Sequence, residues 1–392
     1  MRSTAASVAL VALPAYVLRR GGGAGTLSRV LFAEMALAAV IALPRATAVH
    51  RFGERAVLSV ASIIETLALA AIAGPSLLWA GAGRLVQGLA DRTHFSVSTK
   101  VLFDVTDGQN TRARVRGAFS TAQSIGNLVG PALGGLLATL SLGLAVLGGT
   151  LLSAVNIVLV LGLLTLPRRP ASEVKQSASL RDLFTVHMHR LLENRFLFLA
   201  SLISALLSLF DIFTTAILEV HLLSYQGLSV GQLGLLLSVS SLVPILLTLP
   251  IATVVDRLGR TVPLIAAGVL IGASVWGFSL RGLPFVADIV LMAGLLLGLS
   301  FANSAWTTLY GDLTRPAVRM SEMEAVGTIR TIVGAGLALV VGRFYDSVPG
   351  LTVQAIAVVL AMGTLLLIGL DRWFQGALAD TRSVLSKPGP PL

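Results

Sequence analysis

The chain has 392 residues, 55% of them hydrophobic and 12% charged, with a formal net charge of +10, a mean hydropathy of +0.86 and no cysteine. A soluble domain carries roughly a quarter charged residues, so a water-borne globule is excluded, and the lack of cysteine excludes disulfides, thiolate metal sites and thiol nucleophiles. The excess of positive charge does not point to nucleic acid, because its residues cluster in short gaps between apolar runs: Arg45, Arg51 and Arg55; Arg112, Arg114 and Arg116; Arg168, Arg169 and Lys175; Arg257 and Arg260; Arg315 and Arg319; Arg372 and Arg382.

Apolar runs predict twelve membrane-spanning helices, near 3–19, 27–48, 55–74, 76–101, 117–139, 143–166, 196–220, 230–255, 261–282, 284–311, 320–343 and 350–371. The first could be misread as a signal peptide, but losing it would break the even count that keeps the basic gaps on one side. Its apolar run, Ala5 to Leu18, covers only about 21 Å as a helix, so either it is thin or the start lies upstream. The second ends in LPRATAVHRFGERAVL, residues 43–58, which returns as LPIATVVDRLGRTVPL at 249–264. An offset of 249 − 43 = 206, a little over half the chain, marks a duplicated half.

The fourth span concentrates the chemistry. At about 100° per residue, Arg84, Gln87, Asp91, His94 and Ser98 share a sector of about 80°, and Arg92 points elsewhere. Such a face lines an aqueous cavity or packs on another polar stripe, because a charge at the bilayer centre costs roughly 3 kcal/mol. Asp91 and Arg92 have the alternative of neutralising neighbouring helices, and His94 that of a packing residue. In the fifth span Gly126, Gly130 and Gly134 recur every four residues around Pro131, allowing close helix approach, which against the opposite half would seal a cavity.

The polar stretch 167–195 separates two sets of six spans and carries Leu180, Leu183, Phe184, Leu191 and Leu192 at amphipathic spacing. Its His187 and His189 fall short of a metal site. The seventh span offers Ser204, Ser208, Asp211 and Thr215 on one face, with Asp211 either a protonation site or half of a fixed ion pair. The tenth offers Asn303, Trp306, Thr307 and Tyr310, where Trp306 stacks on a ligand or packs in the core. Glu34, Glu65 and Asp288 are expected near helix ends, within reach of water, serving orientation or gating. The segments read as an N-terminal bundle, 1–166; a cytoplasmic linker, 167–195; a C-terminal bundle, 196–371; and a cytoplasmic tail, 372–392, whose last residues SKPGPPL are expected to be disordered. No HExxH, GxSxG or GxxxxGK[ST] motif supports an enzyme.

These residues carry a resemblance. Asp256, Arg257, Gly259 and Arg260 resemble the signature loop of the major facilitator superfamily; Arg84-Leu85-Val86-Gln87-Gly88 is similar to its fourth-helix motif. SIGNLVGPALGGLLA, from Ser124, looks like its fifth-helix antiporter motif, with Gly126, Gly130, Pro131, Gly134 and Gly135 in register. The sequence departs from the family at Ala46 and Ala252, where glycine is usual, at His50 for Asp, and at Glu54 for Arg. The resemblance implies an all-α polytopic membrane protein of two six-helix bundles related by a pseudo-two-fold axis, with the first, fourth, seventh and tenth helices around a central cavity. It implies that His50, Arg51 and Gly53, and their C-terminal counterparts, form loops that latch and release. His50 either makes the N-terminal latch pH-dependent or is a solvated loop residue. The expectation is a proton-coupled exporter of a small organic solute, monomeric, without cofactor, metal or nucleic-acid partner, in the inner membrane with both termini cytoplasmic. A nutrient symporter and a non-transporting sensor or assembly factor are the alternatives.

Overall fold

A computed structural model describes residues 1–105, 112–163, 195–243, 245–247, 250–251, 257, 259–313 and 319–385; the 167–194 part of the expected linker, with its amphipathic segment and histidines, and the final SKPGPPL tail lie outside the described residues. Among the described residues all regular structure is helical. The first span, α1, is two segments, Arg2–Leu10 and Leu13–Arg19. Pro14 sits in the first turn of the second segment, where its missing N–H costs nothing. Because the helix starts at Arg2, it is longer than the apolar run alone. There follow α2 (Ala24–Phe52), α3 (Glu54–Ile72), α4 (Leu77–Val105), α5 (Arg112–Leu140) and α6 (Leu142–Leu163). The second set is α7 (Arg195–Ser224), α8 starting with Val230–Ser240, α9 (Thr261–Phe278), α10 (Phe285–Leu313), α11 (Arg319–Ser347) and α12 (Pro349–Leu385). The last helix continues past the expected boundary at 371.

Among the described residues nine helical segments are long and apolar enough to cross a membrane. Large apolar side chains on their outer faces, such as Leu67, Leu136, Val158, Val269 and Leu365, are exposed, as lipid-facing positions require.

Helix packing shows the duplication in three dimensions. In the first half α1 packs on α5 and α6, α3 on α4 and α6, and α2 on α4; adding six to each number gives the packing of the second half. Between halves α2 packs on α11 and α5 on α8, and these two contacts exchange under the same shift. The chain therefore forms two six-helix bundles related by a pseudo-two-fold axis. One apolar core runs across the boundary, joining Leu27, Leu31 and Met35 to Phe210, Phe213 and Ala338.

Both contacts between halves are tightest at the end bearing the α1–α2, α5–α6, α7–α8 and α11–α12 turns, the sealed end. A Cβ added to Gly135 on α5 would lie 2.9 Å from Cα of Gly234 on α8, and one on Gly234 would lie 2.4 Å from the Pro131 carbonyl oxygen. A Cβ on Gly342 of α11 would lie 2.4 Å from Cβ of Ser28 on α2. The Gly25 amide donates to Asp346 Oδ1 at 3.0 Å, so an α11 side chain satisfies an orphan N–H at the start of α2.

Candidate functional site

The α4 stripe does not line a single space; it divides between two networks inside the first half. On one side Arg84 Nη1 donates to Glu34 Oε2 of α2 at 2.9 Å and to Gln87 Oε1 at 3.0 Å. Arg92 Nε donates to the other oxygen, Glu34 Oε1, at 3.0 Å. Far from pointing elsewhere, Arg92 grips the same carboxylate as Arg84. Gly88 lies about 40° from each arginine around the helix. A Cβ there would stand 2.2 Å from Glu34 Cδ, so the missing side chain forms the seat.

On the other side of α4, Asp91 pairs with Arg2 of α1, whose Nε donates to Glu65 Oε2 of α3 at 2.9 Å. His94 Nε2 lies 3.4 Å from that same Glu65 oxygen and 3.3 Å from Ser62 Oγ. Glu65 is 1% exposed and Glu34 4%; Asp288, on α10, is 0% exposed. The expectation that water reaches these three carboxylates at helix ends is therefore corrected: they are enclosed by neighbouring helices, and Glu34 and Glu65 are neutralised there.

In the second half Asp211 Oδ2 lies 2.5 Å from Arg330 Nη2 of α11, and both side chains stay partly exposed. The α7 stripe breaks up around them. Ser204 and Ser208 are buried, and the Ser208 hydroxyl donates to its own helix at the Ala205 carbonyl, 2.6 Å away. Thr215 is exposed, because it falls in a π-helical turn, Phe213–Ile217, whose wider winding breaks the 100° register. On α10, Asn303 is exposed and Trp306 packs against the apolar cluster of Leu197, Ala200 and Ile203. The side chains of His50, Thr307 and Tyr310, and Asp256 as a whole, lie outside the described residues.

The two repeat loops both turn on a glycine in the left-handed region, Gly53 at φ 82° and Gly259 at φ 70°. Arg51 and Arg257 are exposed beside them. In the second loop Arg260 Nη2 lies 2.8 Å from Asp371 Oδ1 of α12, both side chains largely buried. Its counterpart in the first half, 260 − 206, is Glu54, of opposite charge.

The glycine series of α5 also has a different partner from the expected one. Gly126, Gly130 and Gly134 face α1: added Cβ atoms would come 2.1 Å from Ser3 Oγ, 2.6 Å from Ser7 Cβ and 2.4 Å from the Val8 carbonyl oxygen. Only Gly135, with the Pro131 carbonyl, meets the opposite half. Sequence reasoning missed the partners Arg2 and Arg330 and the seating of Glu34 against Gly88. The available signal was electrostatic: a carboxylate within an apolar helix is costly unless a cation on a neighbour, a watery cavity or a function compensates it. It also missed His221, buried at the sealed end, where Nε2 lies 2.7 Å from the Phe278 carbonyl and Nδ1 2.8 Å from the Tyr345 hydroxyl. The carbonyl can only accept, so Nε2 carries the proton and Tyr345 donates to Nδ1.

Among the described residues no group of His, Cys, Asp and Glu is arranged to hold a metal. Among the described residues the chemistry available is that of charge pairs between helices, some enclosed and two, Asp211–Arg330 and Asp91–Arg2, partly accessible.

A family model described as Major Facilitator Superfamily matches residues 1–338. Over 110 residues the chain is 36% identical to the class C tetracycline resistance protein of Escherichia coli, a match covering 28% of this chain and only 27% of that relative. Among solved structures, a mutant of the nucleoside transporter NupG is similar with a TM-score of 0.77 at 16% identity, over 94% of this chain and 95% of that one. A POT family transporter in complex with a thioalcohol-conjugated peptide reaches 0.71 at 12% identity, over 94% of each chain. The human organic anion transporter MFSD10 reaches 0.64 at 19% identity, over 94% and 96%. At these identities the structural likenesses establish the fold.

Proposed function

The chain belongs to the major facilitator superfamily, a family of integral membrane transporters, and on that premise we propose that it exports a small organic solute in exchange for protons. The bundles are taken as 1–166 and 196–371, rocking about the contacts between halves, and the protein works as a monomer in the inner membrane. Both termini are cytoplasmic in this reading, which follows from the basic gaps and makes the sealed end the outer one.

The observation that carries the proposal is the Asp211–Arg330 pair, 2.5 Å apart yet partly exposed on both sides. A pair open to a pathway can be broken by a proton: protonation of Asp211 removes the attraction, and release of the proton restores it. Asp91, also partly exposed and bound to Arg2, is a second carboxylate of the same kind. Arg84 is held by Glu34 and Gln87 and keeps its charge fixed within the first half. In the proposed cycle the carboxylate gains its proton from outside, the solute loads from inside, and rocking of the halves exchanges them. The tight glycine contacts at the sealed end support exchange, since they prevent leakage between states. The tetracycline resistance relative supports export.

The test is proteoliposomes with an imposed pH gradient and tetracycline as the solute, with proton movement read by an entrapped pH dye. Asp211→Asn should abolish solute-coupled proton movement while the protein remains monodisperse. Full coupled flux by that variant removes Asp211 from the role, and solute accumulation along the inward proton gradient replaces export by uptake.

A further inference from the structure

Glu219 lies on α7 just past the π-helical turn. Its neighbours Leu218, Val220, His221 and Leu222 are 0–2% exposed, whereas Glu219 keeps partial access. The outer part of α7 packs on Leu13–Arg19 of α1 in the other half, and α2 packs on the π turn itself. Glu219 therefore sits where the halves meet. It is about 8 Å from the end of α7, and Arg84 is about 10 Å from the start of α4, so both stand at the same depth beneath the seal. The Arg84 guanidinium is within electrostatic reach of the Glu219 carboxylate across the boundary.

The charge balance singles this residue out. In the first half three arginines, Arg2, Arg84 and Arg92, balance Glu34, Glu65 and Asp91. In the second half Arg330 balances Asp211, and Arg260 balances Asp371. Among the described residues no side chain hydrogen-bonds to Glu219 or forms an ion pair with it, and Arg84 is already engaged by Glu34. Asp288 is likewise without a hydrogen-bonding partner, but at 0% exposure it offers no access to a solute. The elements packed on this part of α7 and on the π turn before it bring Tyr16 and Arg19 from α1, Arg29 and Glu34 from α2, and Arg330, Arg343, Tyr345 and Asp346 from α11, with His221 on α7 itself and none from the π turn or Val230–Ser240; of these cations Arg330 is held by Asp211, and Arg84 of α4 by Glu34.

We propose that Glu219 is the position at which a proton and a cationic cargo compete, so that the solute exported is an organic cation. The inference rests on the exporter reading and names its substrate class. The chemistry is that of one negative charge and two exclusive ligands. Protonated, Glu219 is neutral and offers a cation nothing. When the carboxyl O–H gives its proton to water, the carboxylate attracts a cation, while the fixed Arg84–Glu34 pair holds Arg84 back from full pairing. An anionic or neutral solute gains nothing at this position. The π turn before it widens the helix and gives Glu219 a rotation that a continuous α-helix would not, a common use of such turns at functional sites.

The test uses the full chain in lipid nanodiscs and two lipophilic ions of the same shape and opposite charge, tetraphenylphosphonium and tetraphenylborate, corrected for empty nanodiscs. The wild type should bind the cation in preference to the anion. Its affinity should weaken by about tenfold per pH unit once Glu219 protonates. Glu219→Gln should lower cation affinity at least tenfold and flatten the pH dependence, while Glu219→Asp, which keeps the charge, should retain both. Equal binding of both ions by the wild type, or retained affinity and pH dependence in Glu219→Gln, overturns the assignment. Coupled flux is measured separately with Asp211→Asn. Loss of cation preference with intact flux overturns Glu219 alone, and loss of flux in the wild type overturns the exporter reading.

Discussion

Gly88→Ala tests the seat of Glu34. The added methyl would lie 2.2 Å from Glu34 Cδ and Oε2 and 2.6 Å from Oε1, where contact needs about 3.4 Å. The carboxylate must retreat by roughly 1 Å. A free Glu could do so cheaply, since only the tip of a flexible chain is involved. Here both oxygens are engaged, at 2.9 Å by Arg84 and 3.0 Å by Arg92, and a shift of that size carries both beyond hydrogen-bonding distance. Breaking a buried pair costs about 3–5 kcal/mol; Arg92 is partly accessible, which places the expected loss at ~3 kcal/mol. At ~2.1 cal/mol/K per residue over the 392 residues of the chain, that loss corresponds to about 4 °C in Tm. Thermal unfolding of the purified protein in detergent reads it directly. Glu34→Ala added to Gly88→Ala should show no further clash penalty, because the obstructing group is gone. An unchanged Tm in Gly88→Ala would refute the seat and, with it, the fixed position of Arg84.

Gly234→Ala places a methyl 2.4 Å from the Pro131 carbonyl oxygen and 2.8 Å from Gly135 Cα, both backbone, so the seal cannot close. A single thiol introduced at Ser28 into the cysteine-free chain should become accessible to an aqueous reagent in that variant, and persistent protection would count against the seal. Asp371→Asn removes the carboxylate that lies 2.8 Å from the Arg260 guanidinium and should cost about 1–3 kcal/mol; the swap Arg260→Asp with Asp371→Arg should recover part of it in the same unfolding assay. Gly259→Ala should destabilise by about 1–2 kcal/mol through its φ of 70°, while Gly336→Ala, with open space around it and no strained backbone, should change stability little.

Hydropathy made the spans legible because membrane crossing depends on length and apolarity, both written locally. The repeat at 43–58 and 249–264 foretold the pairing symmetry of the halves, and the charge stripe on α4 was correctly placed on one helix. What the stripe touches was not legible, since contact partners lie on other helices. Arg92 illustrates the limit: its angular position separates it from Arg84, but a long side chain on either flank of a glycine can reach one carboxylate. The α7 stripe failed for a different reason. Its 100° rule assumes unbroken winding, and the π turn at Phe213–Ile217 ends that winding before Thr215. The spacing of Gly126, Gly130 and Gly134 correctly signalled close approach but is silent about which neighbour approaches, and α1 rather than the other bundle takes that place.

The two contacts between bundles are copies by ancestry but not by composition. At α5·α8 bare backbone meets bare backbone, whereas at α2·α11 the Gly25 amide is tied to Asp346. In the rocking motion proposed above, a pivot held by packing alone would part before one tied by a hydrogen bond, and the motion would acquire a twist. On that proposal, one aspartate without a counterpart in the other half would set the order in which a passage to the far side first appears.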